Sequence, residues 1–243
     1  MIQDINMDVA AIVRSDYRTA DVFKKYGINF CCSGTMSLGE ACTAKNLDFD
    51  LIVEDIRKAT QDLCLPYNVQ FDKWEVSFLI DYIVNVHHVC LKATLPALET
   101  QLITFADNHK KKYAEFGNIA DVFQKLSLLL QALMQKEETI LFPYIKQIES
   151  AHRKKESYGS LFLRTLRKPQ DLIGKEHQST RKMLTSLQTL TNHFTFASDV
   201  CTTYQVLFHK LKAFSADLIQ HTHLENNVLF PKANELEKEL LQS

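Results

Sequence analysis

Neutral imidazoles and carboxylates are ready ligands for a cation, and this chain places both kinds at matched intervals. The block Glu137-Glu138-Thr139-Ile140-Leu141-Phe142-Pro143 returns as Glu225-Asn226-Asn227-Val228-Leu229-Phe230-Pro231. His88 precedes Glu137 by 49 residues and His177 precedes Glu225 by 48, so the repeat extends well beyond the block. Two copies of one helical hairpin, each giving a His from its first helix and a Glu from its second, account for both facts. His221 stands four residues before Glu225, on the same face of a helix. Among Leu, Ile and Phe such a pair is costly to bury alone, and coordinating a cation removes the cost. His88, Glu137, His177, His221 and Glu225 then offer five nitrogen and oxygen ligands, the way bundle cores hold dinuclear sites with bridging carboxylates. With no thiolate in the set, iron or manganese fits better than structural zinc or an iron–sulfur cluster.

A lone histidine is usually solvated or hydrogen-bonded, and His87, His109, His152, His193 and His209 are assigned that role. His223, two residues from His221, points to another side of the helix and is expected at the surface.

The elements that must position these groups are long helices. Only six glycines and five prolines punctuate the chain, and the alternating β-branched runs that mark strands are missing. From Trp74 the apolar residues Phe78, Leu79, Tyr82, Ile83, Val86 and Val89 recur at spacings of three and four. The pattern predicts helices over about 74–107, 118–149, 168–194 and 198–239, with Asn118 capping the second. Pro96 should end or kink the first near Leu95, and Pro143 and Pro231 should bend the second and fourth at equivalent places. Four helices in two repeated hairpins make an up-down four-helix bundle, so the fold class is all-α.

The first 63 or so residues differ, with three of the six glycines and several short helical pieces. Thr19 is expected to cap a helix through Lys25 that Gly27 stops, Ser37 precedes a second, and Asp48 or Asp50 starts a third running to about Leu63. Residues 64–72 read as a linker between a small N-terminal helical domain over 1–64 and the bundle over 73–243.

A net charge of −1 gives no bulk attraction to nucleic acid or anionic lipid. No apolar run reaches the roughly 20 residues of a membrane span, and no secretory signal opens the chain, so a cytoplasmic protein is expected. Six scattered cysteines form no disulfide framework or Cys-x-x-Cys. The adjacent Cys31-Cys32 pair, on a Gly-containing loop, is either a reactive thiol or strained disulfide pair or two ordinary packed cysteines. Cys42, Cys64, Cys90 and Cys201 are expected as buried small hydrophobes.

Nearly the whole chain resembles a known family, the iron–sulfur cluster repair di-iron proteins of the ScdA/YtfE, repair-of-iron-centres type. The likeness runs through Asp21-Val22-Phe23-Lys24-Lys25-Tyr26-Gly27 into Cys31-Cys32, then Ile80-Asp81-Tyr82-Ile83 to His88 and Leu95-Pro96. It continues through Lys136-Glu137-Glu138 with its Leu-Phe-Pro, Glu176-His177, and His221 to Pro231. The resemblance implies a small N-terminal helical domain followed by a hemerythrin-like bundle that holds non-haem di-iron. It carries the ligand roles onto His88, Glu137, His177, His221 and Glu225, with both glutamates bridging, and gives Cys31 and Cys32 redox or nitric-oxide-linked chemistry.

One ligand of the family pattern is absent. The second bundle helix should carry His-x-x-x-Glu, as the fourth does, but Leu133 stands four residues before Glu137. Leucine cannot coordinate, so the metal site is expected to be asymmetric, incomplete or labile, with a water, an open position or Glu176 in the place of the imidazole. The implied function is repair of iron–sulfur clusters damaged by nitric oxide or oxidants, by donation of iron, in a homodimer whose partners are the damaged proteins. Two other readings use the same residues: a hemerythrin-like sensor or carrier of oxygen or nitric oxide, and a paralogue with a degenerate site whose bundle only packs.

Overall fold

The protein is represented by a computed structural model that describes residues 5–30, 36–61, 69–154 and 169–242. Cys31-Cys32, Cys64, most of the predicted linker and the basic connection at 155–168 lie outside the described residues. The fold is all-α, and among the described residues the only β feature is an isolated bridge between Asp8 and Ser37.

The chain divides into two compact units, Met1–Tyr67 with Phe194–Lys212, and Asn68–His193 with Ala213–Ser243. In the first, four short helices follow in order: α1 Val9–Ser15, α2 Thr19–Lys25, α3 Leu38–Lys45 and α4 Phe49–Ala59. Helices this short do not persist alone, so capping and a shared core must hold them. Asp8 caps α1 and Asp48 caps α4. Ser37 and Glu40 form a full capping box on α3, a feature that stabilises a helix start by about 1 kcal/mol. Gly27 ends the α2 turn at φ +65°, where a Cβ would be strained. Ile12, Ala20, Phe23, Leu38 and Ile52 are fully buried in the core, and Val206 joins them from the later segment.

The second unit is built of α5 Val76–Tyr82, α6 Val89–His109, α7 Glu115–Lys136, α8 Phe142–Lys154, α9 Pro169–Leu190, the end of α10 Thr202–His223, and α11 Phe230–Gln242. Three stretches of π-helix, Ile83–His88, Glu137–Leu141 and Leu224–Leu229, join α5 to α6, α7 to α8 and α10 to α11. The predicted helices one, two and four are therefore continuous rods with one wide turn each. Leu79, Ile83, Leu141, Ile145 and Leu229 form the centre of their core, with Leu133 among them.

Those π-turns explain where the sequence reading differs. Pro143 and Pro231 each stand two residues after the last residue of a π-turn. Proline lacks an N–H and clashes with the carbonyl four residues back, and an i→i+5 turn widens the coil at that point. The first π-turn advances the helix phase by one residue, about 100°. Val86 and Val89, predicted on the apolar face, are consequently exposed, whereas His87 and His88 are both buried; Phe78, also predicted there, is exposed ahead of the turn on the flank of α5 beside Leu79 and Ile80. Pro96 does not end its helix, which runs on to His109. The second rod begins at Glu115 without a side-chain cap, so Asn118 lies inside it. Of the described cysteines only Cys42 is buried; Cys90 is exposed and Cys201 intermediate, because neither faces a core.

Candidate metal centre

The π-turns carry the chemistry. His88 is the last residue of the first, Glu137 the first of the second, and Glu225 the second of the third, with His221 one turn earlier on α10. A wide turn re-aims a side chain that regular helix would direct elsewhere, which is why such turns gather at functional sites. Here they point His88, Glu137, His221 and Glu225 at one spot, with one ligand atom from each lying within 4.8 Å of the others. All four are at most 1% exposed.

The contacts between them are those of groups waiting for a cation. The Nε2 atoms of His88 and His221 face each other at 3.1 Å. Two donors about 2.1 Å from one ion and at right angles to each other would lie about 3.0 Å apart. His88 Nδ1 donates to Glu138 Oε1 at 2.7 Å, and Lys92 holds both oxygens of Glu138. That outer pair fixes the His88 tautomer, leaving a lone pair on Nε2. His221 Nε2 stands 3.0 Å from Glu225 Oε1, and His88 Nε2 3.5 Å from Glu137 Oε2. Yet all four oxygens of Glu137 and Glu225 are buried without a hydrogen bond. Two fully buried carboxylates with no donor are expensive by several kcal/mol each if ionised. A bound cation removes that cost.

His177, on α9, reaches the same cluster from the other side. Its Nε2 lies 3.1 Å from Glu137 Oε1, within ion-pair distance but misaligned for a hydrogen bond. Glu137 therefore stands between two sets of imidazoles, His88 near one oxygen and His177 near the other. That is the disposition of a bridging carboxylate.

The electrostatics agree. Burial pushes the Glu225 carboxyl up to about 7. Burial, then the neighbouring Glu225, raises Glu137. Burial lowers His88 and takes His221 down to about 4, so both imidazoles stay neutral. Burial also pulls on His177, but Glu137, Glu225 and Glu176 together outweigh it and its pKa is raised. Burial thus favours protons on the two glutamates, and a bound cation would compete with those protons for the same oxygens.

The five predicted residues thus converge, and the structure adds neighbours that the sequence did not single out. Glu138 orients His88. His87 is buried, hydrogen-bonded through Nδ1 to Asp217 at 2.9 Å, and stacked on His221 with ring centroids 5.8 Å apart. Its Nε2 has no hydrogen-bond partner. Asp217 lies four residues before His221, a spacing that marks it in retrospect. Glu176 is drawn to Lys136 through one oxygen, the other being buried and unpaired. Leu133, at the place of the missing imidazole, is 2% exposed and packs in the bundle core. His223 is exposed, as expected, and is paired with Asn227.

Residues 79–233 match the hemerythrin HHE cation binding domain. Residues 5–60 match ScdA_N, described as a domain of unknown function (DUF542). Among curated proteins, the chain is 29% identical over 216 residues to the iron-sulfur cluster repair protein YtfE of Escherichia coli O1:K1. The same figures hold for YtfE of Escherichia fergusonii, and in both cases the match covers 89% of this chain and 91% of the relative.

Proposed function

The chain belongs to the hemerythrin HHE cation-binding family, and on that premise we propose that it is a non-haem di-iron protein that repairs damaged iron–sulfur clusters. The observation that carries the reading is the pair of fully buried, unpartnered carboxylates, Glu137 and Glu225, set among three imidazoles. His88, Glu137, His177, His221 and Glu225 hold the iron, the two glutamates bridging. Bound there, iron supplies a redox-active Lewis acid and a transferable ion. The protein's own groups do the rest. Glu138 and Lys92 fix the His88 ring, and Glu137 and Glu225 are fully buried.

The repair role is supported by the two YtfE relatives, whose matched length takes in both compact units. Its clients are iron–sulfur proteins damaged by nitric oxide or oxidants, and it acts in the cytoplasm as a homodimer. Among the described residues no helix is long and apolar enough to cross a membrane. Residues 1–64 carry Cys31 and Cys32, a redox pair, in a unit that residues 194–212 complete, and the rest of 73–243 forms the bundle.

The test has two arms. Protein purified from iron-replete cells is analysed for metal, and the loaded chain is incubated with a cluster enzyme inactivated by nitric oxide. Iron in the protein together with recovery of the client's activity supports the reading. A metal-free product sinks it. Reversible spectral change with oxygen or nitric oxide, and no recovery of the client, would make it a gas carrier instead.

A further inference from the structure

The internal repeat pairs His221 and Glu225 with Leu133 and Glu137, so the two hairpins make unequal offers to the site. On one side are His88 and His221, their Nε2 atoms 3.1 Å apart, with an oxygen of each glutamate in reach. That set is closed from solvent and one of its imidazoles is locked by Glu138. On the other side is His177 alone. Its side chain is 11% exposed, the most open of the candidate ligands.

The surroundings differ in the same sense. A cavity of about 310 Å³ between α9 and α10 is lined by Leu133, His177 and Thr180 and also by His221 and Glu225. A second, of about 320 Å³, meets His177 from its other flank beside Leu141 and Phe230. His177 is the one candidate ligand that borders both. Thr180, one turn beyond it, is 5% exposed and its hydroxyl has no partner, which places a neutral oxygen in the wall of the first cavity. Arg181 borders both cavities and is exposed, so its charge disfavours a dication resting there.

We propose that the two iron positions have different jobs: His88, His221 and the shared glutamates retain one ion, while the His177 position opposite Leu133 holds the exchangeable ion that is handed to clients. This rests on the di-iron reading and deepens it, since it names which ion is cargo. Release is ligand exchange alone: ferrous ion leaves His177 and the glutamate oxygens for the acceptor's ligands, and no electron moves. Loss of even an outer partner weakens a metal site about 10- to 100-fold, and a whole imidazole is missing here.

The experiment loads the full chain anaerobically with ferrous iron, removes the excess, and follows uptake by a ferrous chelator. Two phases of equal amplitude are expected, with rates at least about tenfold apart. Leu133→His should slow the fast phase towards the slow one. His177→Ala should abolish the fast phase and leave one ion per chain. Release in a single phase, one ion per wild-type chain, or a Leu133→His protein that folds normally by circular dichroism with its fast phase unchanged would overturn the proposal. If Leu133→His does not fold, the His177→Ala stoichiometry decides. Two phases without reactivation of a client would sink the repair reading and leave the asymmetry standing; reactivation with a single phase would do the reverse.

Discussion

At the scale of single residues, the carboxylates of Glu137 and Glu225 set the behaviour of the metal-free protein. Glu225 titrates near 7 when folded and from 4.5 when free, so the folded chain binds the extra proton and loses stability as pH rises between those values. His221, lowered from 6.5 to about 4, acts in the opposite direction and offsets this until about pH 6.5. Above that, Glu225 and the raised His177 both continue to destabilise. The melting temperature of the metal-free chain should therefore fall as pH rises from 6.5 through about 7, and iron should flatten the dependence. A metal-free melting temperature that rises across this range would refute the account. Glu138 gives a second check: Glu138→Ala unlocks His88 and should weaken iron binding about 10- to 100-fold, measured by competition with a chelator, with little change in fold. Four of the candidate ligands were legible because duplication wrote His88 again as His177 and Glu137 again as Glu225, and His221 because it stands four residues before Glu225. Glu138, His87 and Thr180 were not, because their meaning lies in which helix they face, and spacing along one helix does not state that.

At the scale of elements, scarcity of glycine and strong capping signals made the helices readable, with Ser37, Asp48 and Gly27 at the ends where they were expected. The π-turns were hidden. One residue too many in a turn changes neither propensity nor composition; its trace is the phase error that leaves Val86 and Val89 exposed. The prolines at 143 and 231 were noticed as bends and are better understood as props for those turns. Pro143→Ala should leave helicity by circular dichroism equal or higher, since an interior proline is costly by about 3 kcal/mol in regular helix. It should nonetheless lower iron content, because Glu137 then loses the support that aims it. Unchanged iron in that variant would show that the turn persists without its proline.

At the scale of the molecule, the compact unit built on α1 to α4 includes residues 194–212, and Val206 is 1% exposed in its core. Burying one valine is worth roughly 1.5–3 kcal/mol, a large share of what so small a unit can hold. A fragment ending at residue 64 should therefore show less helix by circular dichroism than the same residues within the full chain. A fragment with fully formed helices would mean that residues 1–64 are self-sufficient. The wide turns have a consequence for the whole as well. Each is one surplus residue, and shortening a rod by a single codon there would let it relax into unbroken α-helix. The rod beyond the excised residue would keep its phase, because the surplus residue is the one removed, but the ligand within the turn would lose the wide coil that aims it. Three such deletions would leave a straighter, more regular bundle with nothing at its centre to hold, so the sites where this protein is least helical are the sites where losing a residue would cost it its metal.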